Sequence, residues 1–305
     1  MQAASAFDVI CSSADREPWL AARMSGIGSS DAPAVLGVSP FKSAAMLYAE
    51  KRGLSVDQEE SEAMKWGHIL EPHILEQFGK ESGRNVWGAG DLIRSCERPW
   101  QLATLDGEQR EIGSAEIGNV EAKATSFRVG DWTDGVPHHV FVQAQHQLSV
   151  TERRLCSVVV LQFGCKLLWT DIERDDAFID QVLIPAELEF WERVQNGDPP
   201  APDGSKSAAE ALARLYPKAI PGKVIQLPGA LIEADDELLG LSGQIKELKD
   251  RKELLEQRIK EAIGDAEVGA FANGVSYTHK LQNRMGFEVK PTSFRTLRRV
   301  AAKGE

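Results

Sequence analysis

The chain has 305 residues, 42% of them hydrophobic, and a formal net charge of −11. That length and apolar share are enough for one large packed domain with an appendage, and no apolar run reaches the roughly 18 residues of a membrane span. The acidic balance excludes a protein that coats nucleic acid nonspecifically, while leaving room for DNA as the substrate of a locally basic groove.

The N-terminal MQAASAFDVICSSADREP lacks the basic and apolar regions of a signal peptide, so a cytoplasmic location is expected. Residues 17–53 read as short helices joined by turns. One starts near Ser30 or Asp31, either of which can cap it, and another covers Ser43–Arg52 before Gly53. Between them RMSGIGSSD, from Arg23, is a glycine-rich turn entering a helix, where free N–H groups and the helix dipole favour an anion. Over residues 62–82, Met64, Leu70, Ile74, Leu75 and Phe78 recur at helical spacing, and Gly83 ends the run. From Val86 to Thr125 the short pieces DLIRS, QLATLDG and AEIGNVEAKAT suggest a strand meander. Pro137 opens a helix, PHHVFVQAQHQLSVT; strands follow in RLCSVVVLQF and KLLWTDI, and then a helix from about Asp175 to Asn196. This order is α/β or α+β.

NGDPPAPDGSKS reads as a linker, which divides the chain into a core (1–198), a linker (199–229) and a C-terminal extension (230–305). In the extension Leu238, Leu241, Ile245, Leu248, Leu255, Ile259 and Ala262 keep a 3-4 spacing broken only at Lys252, as in a coiled-coil helix. GVSYTHKL and GFEVK are possible strands. The basic end TSFRTLRRV and beyond, with Arg295, Arg298, Arg299 and Lys303, suits either a DNA or protein partner or a solvated face.

Three carboxylates stand out. Asp106 lies in LATLDGE at a strand end, and Glu121 in the apolar strand NVEAKAT, with Lys123 leaving the same face at i+2. Hairpin-like pairing would bring Asp106 to the Glu121/Lys123 pair. Hard cations such as Mg²⁺ need oxygen ligands of this sort, and a neighbouring lysine can orient an attacking water. The spacing D…ExK is that of the PD-(D/E)xK nuclease core. The short [DE]-x-K pattern also occurs at Glu247–Lys249, Asp250–Lys252 and Glu288–Lys290, and an ordinary solvated strand is the alternative. Glu71, in WGHILEPHILEQF, projects toward the apolar face of its helix, and must be paired, protonated or metal-bound. Gln143 and Gln147 share a helix face at i,i+4, with Gln145 between them; such glutamines serve a metal-bound water, a phosphate oxygen or an exposed face.

Together these pieces resemble the lambda-exonuclease or YqaJ-like viral recombinase family. The resemblance rests on RMSGIGSSD, WGHILEP (Trp66 to Pro72), TLDG, EAK (Glu121 to Lys123) and PHHVFVQAQ in that order, across roughly Trp19 to Thr151. It implies a central mixed β-sheet flanked by helices in a restriction-endonuclease-like core, with a helical C-terminal extension. It also implies a homo-oligomeric, often ring-shaped (trimeric or tetrameric) 5′-to-3′ exonuclease. Such an enzyme acts on linear double-stranded DNA in the bacterial host, phage- or prophage-encoded, and leaves 3′ overhangs for a single-strand annealing protein. Asp106, Glu121 and the Ala122 carbonyl would hold Mg²⁺, with two ions per site and Mn²⁺ able to substitute. Glu71 would serve the second metal or the water, Lys123 would activate the nucleophile, and Gln143 would sit beside the metals. Arg23 and Ser30, or Ser29, would hold the 5′ phosphate, and Gln145 and Gln147 are candidate DNA contacts. A CRISPR-adaptation or RecB-like nuclease is disfavoured because Cys11, Cys96, Cys156 and Cys165 form no CxxC pair and no P-loop is present. Reduced, mostly buried thiols are expected instead. A non-catalytic DNA-end-binding protein and a coiled-coil scaffold remain as alternatives.

Overall fold

The computed structural model describes residues 5–54, 61–125, 132, 135–283, 295 and 297. The chain forms two units, Met1–Pro217 and Lys218–Glu305. In the first, β1 (Phe7–Ser12), β4 (Asp91–Ser95), β5 (Gln101–Thr104) and β2 (Ile27–Gly28) make a sheet in that order. β3 (Asn85–Gly88), β6 (Gly107–Arg110), β7 (Gly118–Thr125), β8 (Leu155–Gln162) and β9 (Lys166–Glu173) make a second, mixed sheet in that order. β3 pairs antiparallel with β6, and β4 with β5. Segments 85–95 and 101–110 therefore run side by side from one sheet into the other. They cross where the Ala89 and Gly90 amides donate to the Asp106 and Leu105 carbonyls, at 3.2 and 3.0 Å. Close packing at this crease explains the glycine of TLDG. A Cβ on Gly107 would lie 2.9 Å from a Leu75 methyl and 3.0 Å from the Trp87 carbonyl oxygen.

β7 and β8 run parallel, with Glu121 opposite Val158. Parallel neighbours need a crossover, and α5 (His138–Thr151) lies between them in the chain. α4 (Glu62–Ser82) is capped by the Ser61 hydroxyl, which accepts the Met64 N–H at 3.2 Å, and it ends at Gly83, whose φ of 71° is left-handed. The sheet lies between these helices. Ile74, Leu75 and Phe78 of α4 pack on Val120 and Val159, while Val140, Ala144 and Leu148 of α5 pack on Cys156, Val158 and Ile172. Burying Phe78 alone contributes about 2–3 kcal/mol. Strand alternation then turns Val120 and Ala122 toward α4, and Glu121 and Lys123 toward α5. The expected mixed sheet flanked by helices is what the chain forms.

The other helices of this unit are α1 (Arg16–Arg23), α2 (Ala32–Val35), α3 (Ala44–Lys51), α6 (Asp176–Phe178), α7 (Ile184–Asn196) and α8 (Lys206–Leu215). Several details differ from the sequence expectation. The helix expected from Asp175 is interrupted by a π turn at Ile179–Leu183, just before Pro185, which has no N–H for the Gln181 carbonyl. The stretch expected to be linker contains α8, whose Ala208 and Ala211 are buried against Ala45 and Met46 of α3. Its apolar stripe is only a few small residues long and lies behind a Pro/Gly-rich run, so composition hid it. β1 and β2 also escaped the pattern: one is mostly exposed and the other spans two residues. The four cysteines are free thiols, but only Cys156 is buried; Cys96 and Cys165 are exposed, since they lie outside the packed faces.

Among its described residues the second unit contains a 3-10 turn at Gly229–Leu231, α9 (Ile232–Ile263) and an antiparallel hairpin of β10 (Val268–Ala270) and β11 (Ser276–Thr278), the last within the expected GVSYTHKL strand. The strand expected at GFEVK, the Glu288–Lys290 pattern, and Arg298, Arg299 and Lys303 lie outside the described residues. Among the described residues no helix is long and apolar enough to cross a membrane.

Candidate active site

β6 pairs with β7 only between Gly107–Val120 and Gln109–Gly118. Beyond Val120 the Asp106 carboxylate takes over from the strand, and its Oδ2 accepts the Ala122 N–H at 2.8 Å. The N–H and C=O of one extended residue point to the same side, so the Ala122 carbonyl faces the side on which Asp106 lies. The hairpin-like approach of Asp106 to β7 is thus present, although its acid stands between two strands of different sheets.

Glu121, 2% exposed, is held on both oxygens. Its Oε1 accepts from Gln143 Nε2 at 2.6 Å and from Lys123 Nζ at 2.5 Å, and its Oε2 accepts from Gln147 Nε2 at 2.5 Å. Gln143 Oε1 also accepts from Lys123 Nζ at 3.2 Å. The i,i+4 spacing on α5 therefore makes a two-pronged amide clamp on a buried carboxylate, which satisfies a charge that would otherwise be costly to bury. Gln145 points elsewhere, donating to the Glu173 carbonyl at 2.8 Å and accepting the Asp175 N–H at 2.9 Å. Gln145 and Gln147 are both 0% exposed with both ends of their amides engaged. Neither side chain is available for the DNA contact expected of it, and neither lies on an exposed face: α5 is buried on nearly all sides.

The cluster is electrostatically unbalanced. Burial raises the Asp106 pKa well above its ordinary value; Glu121 and Glu71 add to this, and Lys123 and the Ala122 N–H only partly offset it. Half-buried Glu71, reaching in from α4, is also raised, first by burial and then by Glu121, against the pull of His68 and Lys123. Burial would lower Lys123, but Glu121 and Asp106 outweigh it and hold it above the ordinary lysine value. Glu71, Asp106 and Glu121 thus face one ammonium, and a further cation would relieve the strain between them. The donors are carboxylate and carbonyl oxygens, which suit Mg²⁺ or Mn²⁺. Among the described residues no three His, Cys, Asp or Glu side chains converge as a ready-made metal cage.

Arg23 connects to the strand that leads into Asp106 through Trp19. Its Nη2 donates to Ser30 Oγ at 3.2 Å, and its guanidinium sits 4.8 Å from the centre of the Trp19 ring. Trp19 Nε1 in turn donates to Thr104 Oγ1 at 3.2 Å, two residues before Asp106. Ser30 is exposed whereas Ser29 is 5% exposed, so Ser30 is the serine that is open to solvent and bonded to Arg23. Asp31, expected as a helix cap, makes no cap hydrogen bond. Its buried carboxylate instead meets Lys51 Nζ at 2.8 Å, Arg23 Nη2 at 3.4 Å and Lys42 Nζ at 3.9 Å, and accepts the Gly28 N–H at 3.1 Å. A Cβ at Gly28 would stand 3.3 Å from the Arg23 guanidinium, so glycine leaves room for that group. Burial alone would raise Asp31, but Lys51, Arg23 and Lys42 hold it well below the usual carboxylate range. Lys51 is lowered by burial, which Asp31 only partly offsets.

Asp31→Asn is therefore expected to destabilise the fold by about 3 kcal/mol, because it leaves the buried Lys51 ammonium without its carboxylate. Asp31's contribution is fully present above its ordinary pKa of 3.8 and is lost as pH falls through the depressed folded value. The gap between wild type and variant in urea unfolding should be widest near neutrality and close only in acid. An equal gap at all pH values would sink the assignment.

A second buried network was not anticipated from sequence. His146 Nδ1 lies 2.6 Å from Glu187 Oε1 and its Nε2 lies 2.9 Å from the Leu102 carbonyl, while Gln101 Nε2 donates to Glu187 Oε2 at 2.7 Å. It pins α5, β5 and α7 together behind the site.

Fold and site together define an α/β protein with a candidate metal–phosphate centre at the crease between two sheets. Residues 18–154 match the family described as the YqaJ-like viral recombinase domain. The chain is also 36% identical over 264 residues to the uncharacterized protein YqaJ of Bacillus subtilis (strain 168), covering 85% of this chain and 81% of that one. The chain belongs to the YqaJ-like viral recombinase family. Among solved structures, the alkaline exonuclease LHK-Exo of Laribacter hongkongensis matches at 24% identity and a TM-score of 0.49, over 66% of this chain and all (100%) of that one. LHK-Exo in complex with dAMP matches at 24% identity and a TM-score of 0.49, over 65% of this chain and 97% of that one.

Proposed function

We propose that the protein is a Mg²⁺-dependent 5′-to-3′ exonuclease that acts on the ends of linear double-stranded DNA and leaves 3′ single-stranded overhangs. The observation that carries this reading is the clamped Glu121, joined to Lys123, with the Asp106 carboxylate on the adjacent Ala122 amide. Asp106, Glu121 and the Ala122 carbonyl would hold the ion, with Glu71 serving a second ion or the attacking water. A bound divalent cation would supply Lewis-acid stabilisation of the phosphate and a more acidic water. Gln143 and Gln147 fix the Glu121 carboxylate so that its geometry is set before substrate arrives. Lys123, kept protonated by Glu121 and Asp106, orients the water and stabilises the charge that develops on phosphorus-bound oxygens. Arg23 and Ser30 grip the 5′ phosphate, and Asp31 with Lys42 and Lys51 is the base on which Arg23 rests. In this reading the enzyme assembles as a ring and hands its 3′ overhang to a single-strand annealing protein in the cytoplasm of a bacterial host, and Mn²⁺ substitutes for Mg²⁺.

The test uses linear duplex DNA with a labelled 5′-phosphorylated or 5′-hydroxyl end, beside a closed circle, with Mg²⁺. Progressive loss from 5′ ends and an intact circle are expected. Arg23→Ala should erase the preference for 5′-phosphorylated ends while leaving metal binding intact. A cut circle would indicate an endonuclease, and DNA left intact throughout would indicate an end-binding protein.

A further inference from the structure

Cys156 is fully buried on β8. The register that sets Val158 opposite Glu121 sets Cys156 opposite Asn119, so the thiol and the Glu121 carboxylate lie on the α5 side of the sheet. Cys156 Sγ is 3.6 Å from Gln147 Oε1, within the reach of an S–H donor given the larger sulfur. The other end of that amide, Nε2, donates to Glu121 Oε2 at 2.5 Å. We propose that Cys156 is a positioning residue: its S–H holds the Gln147 amide in the orientation that presents N–H, and not C=O, to the Glu121 carboxylate.

A glutamine amide ends in one donor group and one acceptor, whereas an ionised carboxylate only accepts. Gln147 is 0% exposed, so its oxygen needs a donor from within the protein, and an orphaned buried acceptor is costly. Burial raises the Cys156 pKa well above its ordinary value; Glu121, Asp106 and Asp171 add to this and Lys123 only partly offsets it. The sulfur therefore carries its proton at neutral pH and is able to donate. The backbone under the amide is fixed separately. Thr151 Oγ1 donates to the Gln147 carbonyl at 2.8 Å and accepts from Asn119 Nδ2 at 3.2 Å. What remains free is rotation of the amide about its last bond, and the thiol removes that freedom. The two prongs of the clamp are thus set by different donors. Lys123 Nζ meets Gln143 Oε1 at 3.2 Å, and Cys156 meets Gln147 Oε1. The consequence for metal rests on the reading of Glu121 as a ligand, because outer-shell partners that orient a ligand change metal affinity by about 10–100-fold.

The test uses the full chain. With Cys11, Cys96 and Cys165 changed to serine, the infrared S–H stretch reports Cys156 alone. It should lie below the frequency of a free thiol, as a donating S–H does, and a band at the free-thiol position overturns the proposal. Mn²⁺ affinity, read from the electron paramagnetic resonance of the unbound ion, should weaken about tenfold in Cys156→Ala. Cys156→Ser, whose hydroxyl still donates, should recover most of that loss. Equal losses in the alanine and serine variants would make the effect one of packing, and an unchanged affinity in Cys156→Ala would leave the thiol without a role; either overturns the proposal. If Cys156→Ala fails to fold, the infrared band decides. A wild type that binds no Mn²⁺ overturns instead the reading of Glu121 as a ligand, and the infrared band then decides by itself whether Cys156 holds Gln147.

Discussion

Lys123→Ala is expected to slow nucleotide release from linear duplex DNA by about a thousandfold, the scale set by loss of a preorganised charge donor or a general acid–base group. Lys123 Nζ touches Glu121 Oε1 and Gln143 Oε1, at 2.5 and 3.2 Å, and is the cation among Glu71, Asp106 and Glu121. Its removal withdraws the group proposed to orient the water. It also withdraws the positive charge that lowers Asp106 and Glu71, so both acids hold their protons more tightly and compete less well for a metal. Binding of a DNA end should be affected far less, because Arg23 and Ser30 are untouched. End-labelled DNA read in single-turnover mode, beside fluorescence polarisation with the same duplex, separates the two effects. Activity within tenfold of wild type would remove Lys123 from the chemistry.

Glu187→Ala is expected to be the most damaging change to stability, by about 3–5 kcal/mol, the usual result of removing one partner from a buried charged pair. His146 and Glu187 are both fully buried (0% exposed). The Leu102 carbonyl can only accept, so His146 Nε2 carries a hydrogen, and the carboxylate at Nδ1 favours a second. Burial would lower the His146 pKa, but Glu187 and the Leu102 carbonyl outweigh it and raise it. A histidine raised in the folded state adds stability that is complete below its ordinary value of 6.5 and is lost as pH rises through the folded value. Without Glu187 the same burial favours neutral imidazole, so the sign reverses and the variant gains stability as pH rises toward about 6.5. Urea midpoints between about pH 5.5 and 9 should therefore slope in opposite directions for wild type and variant. Parallel curves would show that the pair is not ionic.

The central acids were legible because β-strand chemistry is local. Glu121 and Lys123 alternate with Val120 and Ala122, and the apolar run around them marks a buried strand whose odd members need partners. Gln143 and Gln147 were visible as one helix face for the same reason. Their role as a clamp was not, because it depends on α5 crossing above β7. Gln145 illustrates the limit: an amide between Gln143 and Gln147 looks available until the helix is seen to be buried on nearly all sides. Asp31 resembled a cap because aspartate before an apolar turn usually is one. Its actual partners, Lys42 and Lys51, lie 11 and 20 residues downstream, a separation that carries no periodic signal. The His146–Glu187 pair spans 41 residues and was hidden in the same way. α8 was lost to the composition of its flanks.

At the crease, one oxygen of Asp106 occupies the position that a neighbouring strand's carbonyl would fill, by taking the Ala122 amide. The side chain is thus a splice in the sheet as well as a proposed ligand, and its two duties have different chemical requirements. An asparagine keeps an acceptor for the amide and drops the charge; an alanine drops both and unseats the end of β7 on which Glu121 and Lys123 ride. Inactivity of Asp106→Ala would therefore conflate a missing ligand with a displaced neighbour, and the asparagine is the substitution that isolates the charge.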